Sequence, residues 1–237
     1  CPDTNGNSEN GSRIGCLDSD GDGWADEIDA LPLEPTQWID SDEDSYGDNP
    51  NGNKADDCPN EAGGSFEDRQ GCKDSDNDGW SNPDVFWTID DGADALPDNP
   101  TQWSDFDGDG YGDNYGNHSW TMTRDESWPG EYVLLALNQD ACPLQYGDSS
   151  LGEILGCTDK DGDGWADFID AFPDDVNEYL DSDKDGFADG TDDCRNTKGG
   201  SQNDRKGCPD LDGDGWSDAD AMWTIGNGAD AFRDEPS

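Results

Sequence analysis

An aspartate stands at every second position, Asp-x-Asp-x-Asp, with an aromatic two residues beyond the third, at seven places along the chain. The triplets are Asp18, Asp20 and Asp22; Asp40, Asp42 and Asp44; Asp74, Asp76 and Asp78; Asp105, Asp107 and Asp109; Asp159, Asp161 and Asp163; Asp181, Asp183 and Asp185; and Asp210, Asp212 and Asp214. Carboxylates packed that closely repel one another unless a cation sits between them, and a hard divalent ion with oxygen ligands, chiefly calcium, meets that need. A merely solvated acidic surface would not repeat this spacing with glycine and aromatic in register.

The rest of the composition tightens the constraint. A formal charge of -48 over 237 residues, with 30% hydrophobic residues, places the chain among disordered polypeptides by composition alone. Ten Trp and eight regularly placed Cys argue otherwise. So acidic a chain is no partner for nucleic acid, whose phosphates need Lys and Arg. No apolar run approaches the length of a membrane span; the longest is Tyr132 to Leu137. With one histidine, His118, a catalytic histidine constellation is not expected, no cleft-forming scaffold is apparent, and the chain reads as non-enzymatic.

Eight cysteines allow 105 pairings. Local pairing is the economical choice, joining Cys1 to Cys16, Cys58 to Cys72, Cys142 to Cys157 and Cys194 to Cys208, one bridge of about 3 kcal/mol per repeat. Zinc is disfavoured because no two cysteines lie two to four residues apart. Oxidised cysteines imply an extracellular or cell-surface setting.

Four units begin at Cys1, Cys58, Cys142 and Cys194, each a cysteine loop, a first Asp motif, an Ala-Leu-Pro-like spacer, a second Asp motif and an acidic pair. Units two and four share a nine-residue insertion, at 85–93 and 221–229, so the period is a pair of units: 1–141, with a further insertion at 114–139, and 142–237. Both chain ends fall inside a unit, which suggests an array that continues, or one chain's end completing the next chain's beginning. Secondary structure is expected to be sparse. Trp24 to Leu31 and Trp165 to Phe172 suit one or two helical turns stopped by Pro32 and Pro173. The run Glu131 to Leu137 suits a short strand or helix, with Trp120 to Trp128 as the other arm of a hairpin. The tryptophans are expected to pack against the neighbouring repeat.

Aligned on a twelve-residue EF-hand-type loop, the triplets occupy positions 1, 3 and 5, a glycine position 6, and the aromatic carbonyl position 7: Trp24, Tyr46, Trp80, Tyr111, Trp165, Phe187 and Trp216. Position 9 is Asp26, Asp48, Asp113, Asp167, Asp189 and Asp218, but Asn82 in unit two, a neutral oxygen expected to weaken binding modestly. The closing acid is Asp29, Asp170 and Asp192 at position 12. It is displaced past the insertions to Asp94 and Asp230, and falls at Asp56 and Asp140 in the second motifs of units one and two. Ser45 stands where the turn glycine is expected. Flanking helices of true EF-hands or dockerins have no room between Gly15-Cys16 and Pro32, and Gly-Gly-x-Gly-x-Asp nonapeptides are absent.

The stretch Asp181 to Cys194, the Cys-Pro at 1, 58 and 142, and Asn99-Pro-Thr-Gln102 resemble the thrombospondin type-3 repeat. The resemblance covers nearly everything outside Asn114 to Asn138. The regular Trp, the Ala-Leu-Pro spacer and the insertions depart from it and suggest a prokaryotic relative. It implies a mostly irregular, calcium- and disulfide-stabilised repeat rod without a conventional hydrophobic core, wrapped around roughly one or two Ca²⁺ per motif. The expected role is structural: a secreted rod assembling head to tail into a filament, or a calcium-dependent stalk of a larger adhesin or exoenzyme. Asn10 and Asn117 head glycosylation acceptor triplets. Chelation is expected to expand the chain, and acid to act similarly as aspartates protonate near their reference pKa of about 3.9.

Overall fold

The computed structural model describes residues 1, 6–116, 124–125 and 127–236. Among them the chain is almost entirely turns and bends, and the helical elements are two three-residue 3₁₀ turns, Ile89–Asp91 and Ile225–Asn227, one in each insertion. Four isolated parallel bridges replace sheets: Gly47 with Ala55, Gly112 with Gln139, Tyr115 with Tyr132, and Asp140 with Leu155. The chain divides into two compact units, Cys1–Gln139 and Asp140–Ser237.

The segments expected to be helical stop after one turn. In the first, the N–H groups of Ile28 and Asp29 both reach the Ala25 carbonyl; in the other, Ile169 and Asp170 reach Ala166. The closing acid then captures the N–H two residues on, Asp29 that of Leu31 and Asp170 that of Phe172, which pre-empts the next helical bond. Glu131 to Val133 pair with the single residue Tyr115, through Tyr115 N–H to the Glu131 carbonyl and Val133 N–H to the Tyr115 carbonyl. Most of the arm assigned to 120–128, and Asn117, lie outside the described residues.

Four disulfides join Cys1 to Cys16, Cys58 to Cys72, Cys142 to Cys157 and Cys194 to Cys208, as local pairing requires. Their formation implies an oxidising compartment. Each loop closes on a buried serine. The hydroxyls of Ser8, Ser65, Ser149 and Ser201 accept the N–H of the second cysteine at 2.9–3.0 Å. Each also donates to a carbonyl inside the loop, that of Arg13, Arg69, Ile154 or Arg205.

Large apolar side chains do not form the interior. The buried hydrophobic residues are second cysteines, alanines and Leu31, interleaved with buried polar groups. Two of these, Gln37 and Gln102, are fully enclosed and act as clamps. The Gln37 amide donates to the carbonyls of Asn49 and Asn53 and accepts the Asn49 N–H. Gln102 does the same with the Asn114 and Leu137 carbonyls and the Asn114 N–H. Each glutamine thus ties the spacer to the backbone after the second Asp motif, work that apolar burial does in ordinary domains.

Three aromatic pairs stack within their own unit. Trp24 stacks on Trp38 (centroids 6.4 Å, planes 6° apart), Trp80 on Trp103 (6.1 Å, 11°), and Trp165 on Tyr179 (4.5 Å, 6°). Stacking couples the first motif to the spacer, because one ring sits at position 7 and its mate immediately precedes the second motif.

The two insertions are built alike. Asp68 accepts the N–H and hydroxyl of Ser81 and the Trp87 indole N–H, while Arg69 ion-pairs with Asp84 at 2.7 Å and lies over the Trp87 ring at 5.5 Å. Asp204, Ser217, Trp223, Arg205 and Asp220 repeat that arrangement. The Arg205 guanidinium holds Asp220 down to about 2. Each lock leaves its apolar tip outside, with Phe86 and Met222 about nine-tenths exposed.

Candidate metal centres

Two left-handed residues shape every Asp loop. Position 6 has positive φ in all seven, from 81° at Ser45 to 102° at Gly79, and so does position 4, from 63° at Lys184 to 84° at Gly21. The position 6 requirement follows from the EF-hand alignment; the one at position 4 was missed, although glycine at 21, 108, 162 and 213 is its sequence signal. Added Cβ atoms at these four would meet nothing within 4 Å, so backbone conformation and not space selects glycine there. Replacing Ser45 by glycine relieves about 1–2 kcal/mol of left-handed strain and costs about 0.4–1 kcal/mol in unfolded-chain freedom. The expected net gain is a few tenths to about 1 kcal/mol, read as a higher denaturant midpoint of the Ser45→Gly variant; a lower midpoint would contradict the strain argument.

This backbone wraps the first carboxylate in N–H donors. Oδ1 of position 1 accepts the position 4 N–H in every loop, at 2.6–2.8 Å. Its Oδ2 accepts the position 6 N–H at 2.7–3.1 Å. The third aspartate offers Oδ1 to the position 7 N–H throughout. The loops differ at position 3. Asp20, Asp76, Asp161 and Asp212, in the first motifs, accept the position 5 N–H, whereas Asp42 and Asp183, in second motifs, have both oxygens buried without a donor in bonding geometry. In those second motifs the position 5 acid reaches forward, Asp44 to the Gly63 N–H and Asp185 to the Gly199 N–H, joining the loop to the disulfide loop that follows.

Position 9 holds the loop in shape. Asp26, Asp48 and Asp189 accept both the N–H and hydroxyl of the position 2 serine. Asp167 accepts the Lys160 N–H. Asn82 takes Ser75 equally well, accepting its N–H and donating to its hydroxyl, so the neutral residue preserves the geometry. Asp218 instead accepts from Arg233 at 3.0 Å, and Asp113 is almost fully buried, its own backbone carbonyl accepting from the Arg124 guanidinium.

All seven expected closing acids share one arrangement: Oδ1 accepts the N–H two residues on. The pairs are Asp29 with Leu31, Asp56 with Cys58, Asp94 with Leu96, Asp140 with Cys142, Asp170 with Phe172, Asp192 with Cys194, and Asp230 with Phe232. Across the insertions, Asp94 N–H reaches the Ser81 carbonyl and Asp230 N–H the Ser217 carbonyl, which returns both acids to their loops. Asp140 opens the second compact unit and is fully buried.

Electrostatics locate these acids against their triplets. Burial first, and then the charges of Asp22 and Asp20, push Asp29 up to about 6. Burial and the charges of Asp44 and Asp42 do the same to Asp56, again to about 6. Asp78 rises to about 6, and Asp94, buried against Asp78, Asp76 and Asp74, to about 7. Asp170 and Asp192 are raised for the same two reasons. Burial thus moves Asp29, Asp56, Asp78 and Asp94 to titrate above the ordinary aspartate range, and Asp170 and Asp192 in the same direction.

Buried charge of one sign needs a counter-charge, and the donor set fits a hard divalent cation. Carboxylate oxygens of five triplets, those beginning at Asp18, Asp40, Asp74, Asp105 and Asp159, lie within 4.8 Å of one another. Oxygens without a donor in bonding geometry converge there: Oδ2 of Asp20 and Asp22, of Asp76, Asp78 and Asp94, and of Asp161 and Asp170. Such orphans are rare in folded proteins and signal an ion or water. The aromatic carbonyl at position 7 and the closing carboxylate would complete an oxygen shell. Asn10 has its side-chain nitrogen 3.4 Å from the Asp22 carbonyl.

No known protein family and no curated protein matches this chain by sequence.

Proposed function

We propose that the chain is a calcium-binding extracellular structural repeat protein of the thrombospondin type-3 kind, in which ions take the place of an apolar interior and hold the repeats as a rigid rod. Calcium is preferred among hard cations because the loops offer carboxylates and a carbonyl in a flexible twelve-residue frame, whereas magnesium demands a tighter octahedron and keeps its waters. The observation that carries the reading is the set of buried, donor-less carboxylate oxygens converging in successive loops. Head-to-tail assembly into a filament is the expected use of such a repeat; a calcium-dependent stalk of a larger surface protein is the alternative. Intact mass under reducing conditions separates them, a mass near 25.6 kDa favouring assembly from short subunits.

The test is elemental analysis of natively folded protein after exhaustive dialysis against metal-free buffer. At least about seven calcium ions per chain are expected, one per loop. Natively folded material free of alkaline-earth ions would end the proposal.

A further inference from the structure

One cleft in the first unit is neither a metal loop nor a packing gap. It encloses about 500 Å³ and is lined by Gly52, Asn53, Lys54, Ala55, Asp57, Phe66, Glu67, Asp68 and Gln70. Its walls are fixed by backbone bonds. The N–H groups of Phe66 and Glu67 both reach the Gly79 carbonyl, Asp57 and Gln70 are joined through the Asp57 N–H to the Gln70 carbonyl, and Gly47 N–H holds the Lys54 carbonyl. Asp68 is spent on Ser81 and Trp87. Among the described residues the side chains of Glu67 and Gln70 make no hydrogen bond, Lys54 lies in the field of Glu34, and Phe66 is 56% exposed.

The internal repeats show that Phe66 is not required by the fold. The same pair of N–H bonds to the position 6 carbonyl is made by Glu9 and Asn10, by Ser150 and Leu151, and by Gln202 and Asn203. Glu9, Ser150 and Gln202 thus stand where Phe66 stands, and an aromatic occurs at this place in one unit of four. Lys54, likewise, has Gly190 as its counterpart in the second half.

We propose that this cleft binds a neutral saccharide, with one face of a sugar ring on Phe66 and its hydroxyls on Lys54, Glu67 and Gln70. An ammonium donor, a carboxylate acceptor and a carboxamide that does both match hydroxyl groups, which donate and accept at once. An exposed aromatic surface beside a few polar heads in a cleft of this volume matches what a small polar ligand requires. The acidic field of a -48 chain, with Asp57 and Glu67 in the lining itself, repels anions.

The test is saturation-transfer NMR on the calcium-loaded full chain with cellotetraose, chitotetraose and mannotetraose at about 5 mM, where a site with Kd near 1 mM is mostly filled. Choline and free phenylalanine serve as cationic and zwitterionic probes. At least one saccharide is expected to receive transfer on its ring protons. The variant Phe66→Gln, which installs the residue of the second half and preserves the fold, should bind it about tenfold more weakly or worse, with chemical shifts elsewhere unchanged. Silence from all three saccharides, transfer undiminished in Phe66→Gln, or binding of choline or phenylalanine in their place would overturn the proposal.

Discussion

Adding excess EDTA to the calcium-loaded protein at neutral pH should swell it severely, while the disulfides stay intact. The chain carries 60 acidic against 12 basic residues. Its interior is built of alanines, cystines, buried amides and buried aspartates. Roughly seven to fourteen Ca²⁺ would cancel about 14 to 28 of its charges. Their removal leaves like charges within 4.8 Å of one another and no apolar core to resist them. Small-angle scattering is the measurement. The radius of gyration should move toward the roughly 50 Å of an unfolded chain of this length, held short of it by the four cystine loops. Protease sensitivity should appear between Asp loops, and calcium readdition should reverse both changes. Dimensions unaltered by chelation would mean that something other than cations opposes the repulsion.

Acidification should act with opposite signs on the metal-free and metal-loaded protein. Asp29, Asp56 and Asp78 sit at about 6 and Asp94 at about 7 in the folded chain, well above the ordinary aspartate value. Between those values the folded state holds more protons than the unfolded one, so stability without metal falls as pH rises from about 4 to 7. In EDTA, lowering the pH from about 7.5 to 5 should therefore compact the chain. In calcium the same change should release ions, since each ion must displace those protons, weakening binding by up to about tenfold per pH unit for every proton displaced. Calcium titrations at a series of pH values, followed by tryptophan fluorescence, read the effect directly. Affinity constant from pH 5 to 8 would mean that the closing acids do not meet the ions.

Much of this arrangement is legible in the sequence because its constraints are local. Regular cysteine spacing anticipates all four cystines, and the Ala-Leu and Ala-Phe that follow Asp94 and Asp230 identify them as counterparts of Asp29 across the insertions. What escapes sequence reasoning is conformational or long-range. The left-handed residue at position 4 is masked where Glu43, Asn77 and Lys184 replace glycine. The helical turns after Trp24 and Trp165 go no further than one because an aspartate side chain captures the next N–H, which propensity does not register. The partner of each tryptophan is ambiguous too, since a fixed place in every unit suits stacking within a unit as well as between units. Gln37 and Gln102 read as surface polar residues until the structure encloses them, and the loop serines carry no signal beyond standing seven or eight residues before the second cysteine.

The shortness of the cystine loops, each spanning 14 or 15 residues, has a kinetic consequence. A chain whose bonds are mostly made to near neighbours pays little loop-closure entropy at any step, and topologies of that kind mature quickly. Each cystine module can then form without waiting for distant sequence. Length can then grow by duplication of the pair without slowing maturation of any one pair.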